Sequence, residues 1–334
     1  MKMSVSLLLG VVLCCCTACG NNVNANKSTT AGSSHQSEII GSFNADSAYA
    51  YVARQVAFGP RVPGSQGHKA CRDWLVSTLE GFNPDTLIVQ EAEVVAFNGD
   101  RLPISNIFAG FNMAAPKRVL LAAHWDTRPW ADKESTAEDR AKPIPGANDG
   151  GSGTGVLLEI ARNLAMKAPE VGVDILLVDA EDYGQSDGFS DNTDTWCLGT
   201  QYWVSHMTPY TLRNRPAYGI LLDMVGAAGA QFHYELFSQA EARVPTIKVW
   251  SEADRLGFSD IFVREKGAPV IDDHIFLTRA GIPTTDIIES QHQQTGSFHP
   301  CWHTLDDDMS HIDRRTLDAV GKTVLNVVYK ERNQ

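Results

Sequence analysis

Four short runs of aliphatic residues, at 118–123, 173–178, 217–222 and 283–288, recur along the chain with helical segments between them. This alternation constrains the fold more than any other feature. Strands separated by helices run mostly parallel, and a parallel sheet needs helices on both faces to bury its two apolar sides. The intervening segments have helical periodicity: 68–79, 245–256 and 153–166, the last with Val156, Leu157, Ile160 and Leu164 on one side. Asp46 is a candidate N-cap for a first helix carrying Ala50, Val52, Val56 and Phe58. A last helix, 313–329, repeats Leu317, Val320, Val324 and Val328. No internal repeat and no Pro/Gly-rich linker interrupts the pattern. The expected fold is a single α/β domain with a mixed, mostly parallel central sheet and helices on both faces. A chain of 334 residues, 43% of them hydrophobic, can build such a core without staples.

The first residues read differently. Lys2, an apolar run at 5–13 and the small pair Thr17-Ala18 before Cys19 have the layout of a secretory signal. Cys16-Thr17-Ala18-Cys19-Gly20 resembles a bacterial lipobox with Cys16 where leucine is usual, which makes Cys19 the lipidated residue; the alternative is a plain secretory signal. The expected layout is a lipoprotein signal peptide at 1–18, a flexible tether rich in Asn, Ser, Thr, Gly and Ala at 19–44, and a catalytic domain at 45–334. The expected location is the bacterial cell envelope, as a periplasmic lipoprotein on the outer or inner membrane, with Gly20-Asn21-Asn22 favouring the outer. No later segment has the roughly 20 apolar residues that a membrane-spanning helix needs. A net charge of −12 without any basic run excludes nucleic acid as the ligand. After the leader, Cys71, Cys197 and Cys301 remain, and their spacing leaves any pairing open.

The strand ends carry the chemistry. The first runs into His124-Trp125-Asp126, the second into Asp179-Ala180-Glu181-Asp182 and the third into Asp223. A turn-rich segment, Gly146-Ala147-Asn148-Asp149-Gly150-Gly151, precedes the helix at 153, and His303 lies far downstream. Open α/β sheets bind ligands at the carboxyl ends of their strands. Each residue alone has an ordinary explanation, such as a hydrogen-bonded histidine, a solvated acidic loop or a turn aspartate. Their recurrence at successive strand ends is what points to a metal. Carboxylate oxygens mixed with imidazole nitrogen suit zinc, and a catalytic zinc takes three protein ligands and keeps one open position.

Together, His124-x-Asp126, Gly146 to Asp149, Glu181-Asp182, Asp223 and His303 resemble the stations of the zinc aminopeptidase and glutaminyl cyclase superfamily, over roughly 45–329. Within it, Trp302-His303-Thr304, Asp272-Asp273-His274-Ile275, Phe58 to Gly64 and Trp196-Cys197-Leu198-Gly199 resemble bacterial members of the animal-type glutaminyl cyclases. The resemblance implies one zinc per chain on Asp149, Asp182 and His303, with His124 and Asp126 outside the ligand set. It further implies Glu181, Asp223 and Asp272 as catalytic groups and Trp302, Trp196 and Asp286 at the substrate. Substrates would be peptides and proteins with N-terminal Gln, cyclised to pyroglutamate. Animal enzymes have Glu where this chain has Asp182 and His where it has Asp286. Two other functions stay open, a periplasmic two-zinc aminopeptidase and a non-catalytic lipoprotein that retains the fold. Asp272 and Asp273 could equally cap a helix beginning near His274. Trp125, Trp130, Trp203 and Trp250 are expected to pack rather than to touch substrate.

Overall fold

The computed structural model describes residues 42–186, 193–210 and 214–333, all within one compact unit, Ser37–Gln334. The signal, Cys19 and the tether up to residue 41 lie outside the described residues.

Eight strands and nine helices are described: β1 (Thr86–Val95), β2 (Arg101–Phe111), β3 (Arg118–His124), β4 (Gly172–Val178), β5 (Tyr218–Leu222), β6 (Phe232–Tyr234), β7 (Phe262–Lys266) and β8 (Thr284–Ile287), with α1 (Ala45–Val56), α2 (Gln66–Gly81), α3 (Ala137–Arg140), α4 (Gly151–Met166), α5 (Leu198–His206), α6 (Leu236–Glu241), α7 (Arg243–Leu256), α8 (Asp273–Arg279) and α9 (Arg314–Lys330). The central sheet has the order β1-β2-β4-β3-β5-β8, and β6 and β7 form a separate parallel pair. β4, β3, β5 and β8 are parallel, as the aliphatic runs predict, and β1 and β2 add an antiparallel hairpin at one edge.

That hairpin is absent from the sequence reading. The reason is physical: β1 is a half-exposed edge strand whose Leu87-Ile88-Val89 and Val94-Val95 are split by Gln90, Glu91 and Glu93, so it carries no unbroken aliphatic run of strand length. The central strands are buried throughout and alternate between two cores. Val119, Leu121 and Ala123 of β3 face one cluster, with Val173, Ile175 and Leu177 of β4, while Leu120 and Ala122 face the other, with Leu176 and Val178. The first cluster lies under α1, α2, α4, α7 and α9, and the second under α5 and α8.

Two boundaries differ from expectation. The N-cap of α1 is Asn44, whose side chain accepts from the Ser47 amide, and Asp46 falls in the first turn, where a carboxylate favours the helix dipole. The folded body also begins before residue 45. Phe43 is buried against Gly321 of α9, and Ser42 donates its amide to Asn163. Composition cannot reveal this, because one phenylalanine in a polar stretch says nothing of the groove that receives it.

Glycines set how close α4 comes to the site. A Cβ on Gly153 would lie 2.1 Å from the Leu222 carbonyl oxygen, so the helix start sits directly on the carboxyl end of β5. Gly150, at φ +82°, has the Asp126 carbonyl oxygen 2.5 Å from where a Cβ would be.

Candidate active site

The carboxyl ends of β3, β4 and β5 lie side by side, and two buried triads form there around a shared Asp149. His303 Nε2 lies 3.6 Å from Asp149 Oδ2 and 3.2 Å from Asp182 Oδ1. His124 Nε2 lies 3.1 Å from Asp149 Oδ1 and 3.1 Å from Asp223 Oδ1. In each triad the potential ligand atoms are all within 4.8 Å of one another.

The ligand loops are fixed from behind. Arg61 is fully buried, and its guanidinium donates to the carbonyl oxygens of Trp125, Pro145 and Gly146. Asp307 accepts the amides of Asn148 and Asp149, and Asp126 accepts those of Glu181 and Asp182. Asp126 also stands 3.4 Å from His124 Nδ1, which places it beneath both loops and away from the pocket. His303 has φ +56°, a left-handed conformation that aims its ring inward, and its Nδ1 is 2.9 Å from Asp132 Oδ1. Asp132 in turn accepts two bonds from the buried Arg128, which also donates to the Asp182 carbonyl oxygen.

The donor set can be tested for zinc on two observations. Asp182 Oδ2 is buried without a hydrogen-bond partner among the described residues, and a carboxylate holds the far nitrogen of His303, the arrangement that orients a metal-bound imidazole. Burial alone would lower the pKa of His303, but Asp182 and Asp132 outweigh it and raise it. At His124 burial likewise opposes and loses, chiefly to Asp223, so the pKa rises well above the ordinary value. A field of carboxylates strong enough to hold protons on buried imidazoles also favours a divalent cation. Asp149, Asp182 and His303 therefore fit a zinc ion.

A pocket of about 320 Å³ opens beside the His303 triad and is lined by Asp149, Glu181, Asp182, Asp223, Asp272, Trp196, Trp302 and His303, among others. Trp302 stacks on His303 at 3.9 Å between ring centroids and lies 4.4 Å from Phe298. Trp196 stands parallel to His303 at 6.2 Å. Glu181 is no part of either triad and faces the pocket. Burial first, with Asp182, Asp272 and Asp273 adding to it against His124, raises its pKa well above the ordinary range. Asp272 is raised to about 7, by burial and then by Asp223. It caps α8 through the Asp273 amide while also lining the pocket, so the capping and active-site placements coincide.

Asp286 is brought elsewhere. It is fully buried behind Asp272, its Oδ2 is 3.4 Å from His274 Nδ1, and it does not line the pocket, so the expected contact with substrate is corrected. The resemblance carried over its position, with Asp where animal enzymes have His, but β8 points that side chain into a polar cluster with His274 and Glu235. His124 is likewise buried away from the pocket lining. Trp125, Trp203 and Trp250 are core residues, and Trp130 packs on Tyr183 and Phe97. Cys71, Cys197 and Cys301 are all free and buried.

Arg128, Asp132 and Asp307 escaped the sequence reading, which reached Arg61 and Cys197 only inside matched stretches and gave them no role at the site. The only local signal was the run from His124 to Asp132, in which Arg128 and Asp132 stand four apart, a pattern common on any polar loop.

Imidazoles and carboxylates gathered at the carboxyl edge of a doubly covered α/β sheet, opening on a pocket walled by tryptophan, define a metal-dependent enzyme. Comparison with known proteins makes the class specific: the model of Peptidase family M28 matches residues 106–328, and the chain belongs to that family. The solved Bacteroides thetaiotaomicron glutaminyl cyclase bound to N-acetylhistamine is 45% identical, with a TM-score of 0.83, over 87% of this chain and 99% of that one. A structure described as a Zn-dependent exopeptidase from Parabacteroides distasonis is 47% identical, with a TM-score of 0.82, over 86% of this chain and 99% of the other. Aminopeptidase YwaD of Bacillus subtilis is 28% identical over 228 residues, which are 66% of this chain but 42% of that protein, so the chain spans less than half of the relative's length.

Proposed function

We propose that the chain is a zinc-dependent glutaminyl-peptide cyclotransferase, which converts the N-terminal Gln of peptides and proteins to pyroglutamate and releases ammonia. The observation that carries this reading is the likeness, over 87% of this chain and 99% of the other, to a glutaminyl cyclase at 45% identity. The geometry agrees with it, because Glu181 is left free of both triads and faces the pocket.

The substrate holds its nucleophile, the α-amine, and its electrophile, the γ-amide carbon, within one residue, so proximity is already supplied. Asp149, Asp182 and His303 would hold one zinc ion per chain. When bound, that ion supplies a Lewis acid for the γ-carbonyl oxygen. Trp302 packs on the aliphatic part of the glutamine side chain, and Trp196 closes the opposite wall. Asp223 and Asp272 accept hydrogen bonds from the amine and the amide nitrogen and hold the side chain curled. As the amine nitrogen bonds to the γ-carbon, Glu181 takes the amine proton and passes it to the departing nitrogen, which leaves as ammonia. A carboxylate whose proton affinity is raised by burial is suited to accept that proton.

A second reading, a two-metal aminopeptidase, is favoured by the complete His124–Asp149–Asp223 triad. One assay separates the two. A peptide beginning with Gln incubated with the zinc-loaded protein should yield ammonia and a blocked N-terminus, with activity lost to a chelator. Release of free amino acid with no ammonia would establish the peptidase instead.

The signal layout and Cys19 support a lipid-anchored protein in the periplasm of a bacterial envelope, on the outer or inner membrane, with N-terminal Gln of exported proteins as its substrate pool. Metabolic labelling with a palmitate analogue tests this, and incorporation that persists after Cys19→Ala would refute it.

A further inference from the structure

Where Glu181 and Asp272 line the pocket, a buried thiol stands behind them. Cys197 is fully buried and unpaired, and it opens α5 with φ +56°. Two backbone bonds tie this left-handed turn to the loop after β4: the Cys197 amide donates to the Glu181 carbonyl oxygen at 2.9 Å, and the Leu198 amide to that of Ala180 at 3.0 Å. The thiol itself donates to Glu181 Oε1 across 3.3 Å. Asp272 is anchored by Oδ1 on the Asp273 amide, its buried Oδ2 takes no N–H or hydroxyl donor among the described residues, and its carboxyl group faces that of Asp286. Sγ of Cys197, one oxygen of Glu181 and one of Asp272 all lie within 4.8 Å of one another.

This is the spacing of a small thiolate–carboxylate metal site. Bonds of about 2.3 Å to sulfur and about 2.0–2.2 Å to oxygen at a tetrahedral angle put the two ligand atoms about 3.6 Å apart. The observed 3.3 Å from Sγ to Oε1 is close to that separation, so a cation can replace the thiol proton with little movement of either side chain. An oxygen of Asp272 within the same 4.8 Å completes three ligands and leaves a fourth position open. Sulfur selects soft cations over magnesium and calcium.

We propose that Glu181, Cys197 and Asp272 form an inhibitory site for a thiophilic divalent cation such as excess zinc, separate from the Asp149–Asp182–His303 centre, and that an ion bound there takes Glu181 out of use. The inhibition rests on Glu181 being the acid-base group of the cyclisation above. Binding breaks the S–H bond, releases that proton to solvent and forms a metal–sulfur bond, and no electron is transferred.

Cadmium chloride is the probe, because a cadmium–thiolate bond absorbs in the ultraviolet and can be read without turnover. Full-length protein loaded with one equivalent of zinc is titrated while absorbance, protein-bound zinc and ammonia release are followed. The expected result is one added cadmium per chain, a thiolate band, retained zinc and at least a tenfold fall in ammonia release in step with the band. Cys197→Ser should abolish the band. Asp272→Asn, which keeps the thiol, should weaken cadmium binding at least tenfold, and Cys301→Ser should leave the band as in the parent. A band that survives Cys197→Ser or vanishes with Cys301→Ser, cadmium that enters only by displacing zinc, or a band without loss of ammonia release would each overturn the proposal. Absence of ammonia release before any cadmium is added would be a failure of the cyclase reading, and the band would still decide whether the site exists.

Discussion

Removing the carboxylate behind His303 should loosen the metal without touching a ligand. Asp132 accepts from His303 Nδ1 at 2.9 Å and takes two bonds from Arg128. Burial by itself would raise its pKa, but His303 and Arg128 outweigh burial and hold it well below the usual carboxylate range. The carboxylate is therefore ionised at neutral pH, pins the imidazole and offsets the Arg128 cation, which lies 3.3 Å from Asp182 Oδ1. Asp132→Asn keeps an acceptor for His303 and removes the charge, whereas Asp132→Ala removes both. Loss of a carboxylate that orients a metal-bound histidine costs about 10–100-fold in affinity. The expected weakening of zinc binding is thus about tenfold for Asn and about a hundredfold for Ala, or about 1.4 and about 2.7 kcal/mol. Competition against a chromophoric zinc chelator measures this directly. The difference in melting temperature between zinc-loaded and chelated protein should shrink in the same order, because a ligand stabilises the fold in proportion to the logarithm of its affinity. Both variants binding zinc as tightly as the parent would refute the argument that Asp132 fixes the imidazole.

Other substitutions test separate parts of the reasoning. Glu181→Gln should retain zinc, measured by metal analysis, yet lose ammonia release by about 10²–10⁴-fold; intact turnover would remove Glu181 from the mechanism. At Gly321 an added Cβ would come within 2.0 Å of the Phe43 ring, so Gly321→Ala should cost about 1–3 kcal/mol in chemical denaturation, and the cost should disappear in a Phe43→Ala background. An equal cost in both backgrounds would mean that Phe43 does not fill that groove. Burial raises the Glu289 pKa from 4.5 to about 7, against one bond from the Gln231 amide. A raised carboxyl contributes stability that is complete below its unfolded pKa and is lost as pH rises through the folded one. Glu289→Gln, neutral throughout, should accordingly gain about 2–3 kcal/mol on the parent between pH 4.5 and 7, and stability curves that stay parallel over that window would disprove the shift.

The sequence by itself determined the class of fold and the identity of the metal-capable residues. Both are written locally. A strand buried on two faces must be a continuous aliphatic run, as 118–123 and 173–178 are, and a metal-capable side chain past the carboxyl end of such a strand lies close to it in sequence, as His124, Asp182 and Asp223 do to theirs. The tertiary structure alone decided what those residues can do. It shares Asp149 between two triads, sets Asp132 and Arg128 behind His303, turns Asp286 away from the pocket, and presses the Cys197 thiol on Glu181. These depend on side chains from separate segments meeting within about 3–4 Å and on left-handed turns at His303 and Cys197. Periodicity carries which face of an element is buried. It carries no information about which distant atom waits on the other side.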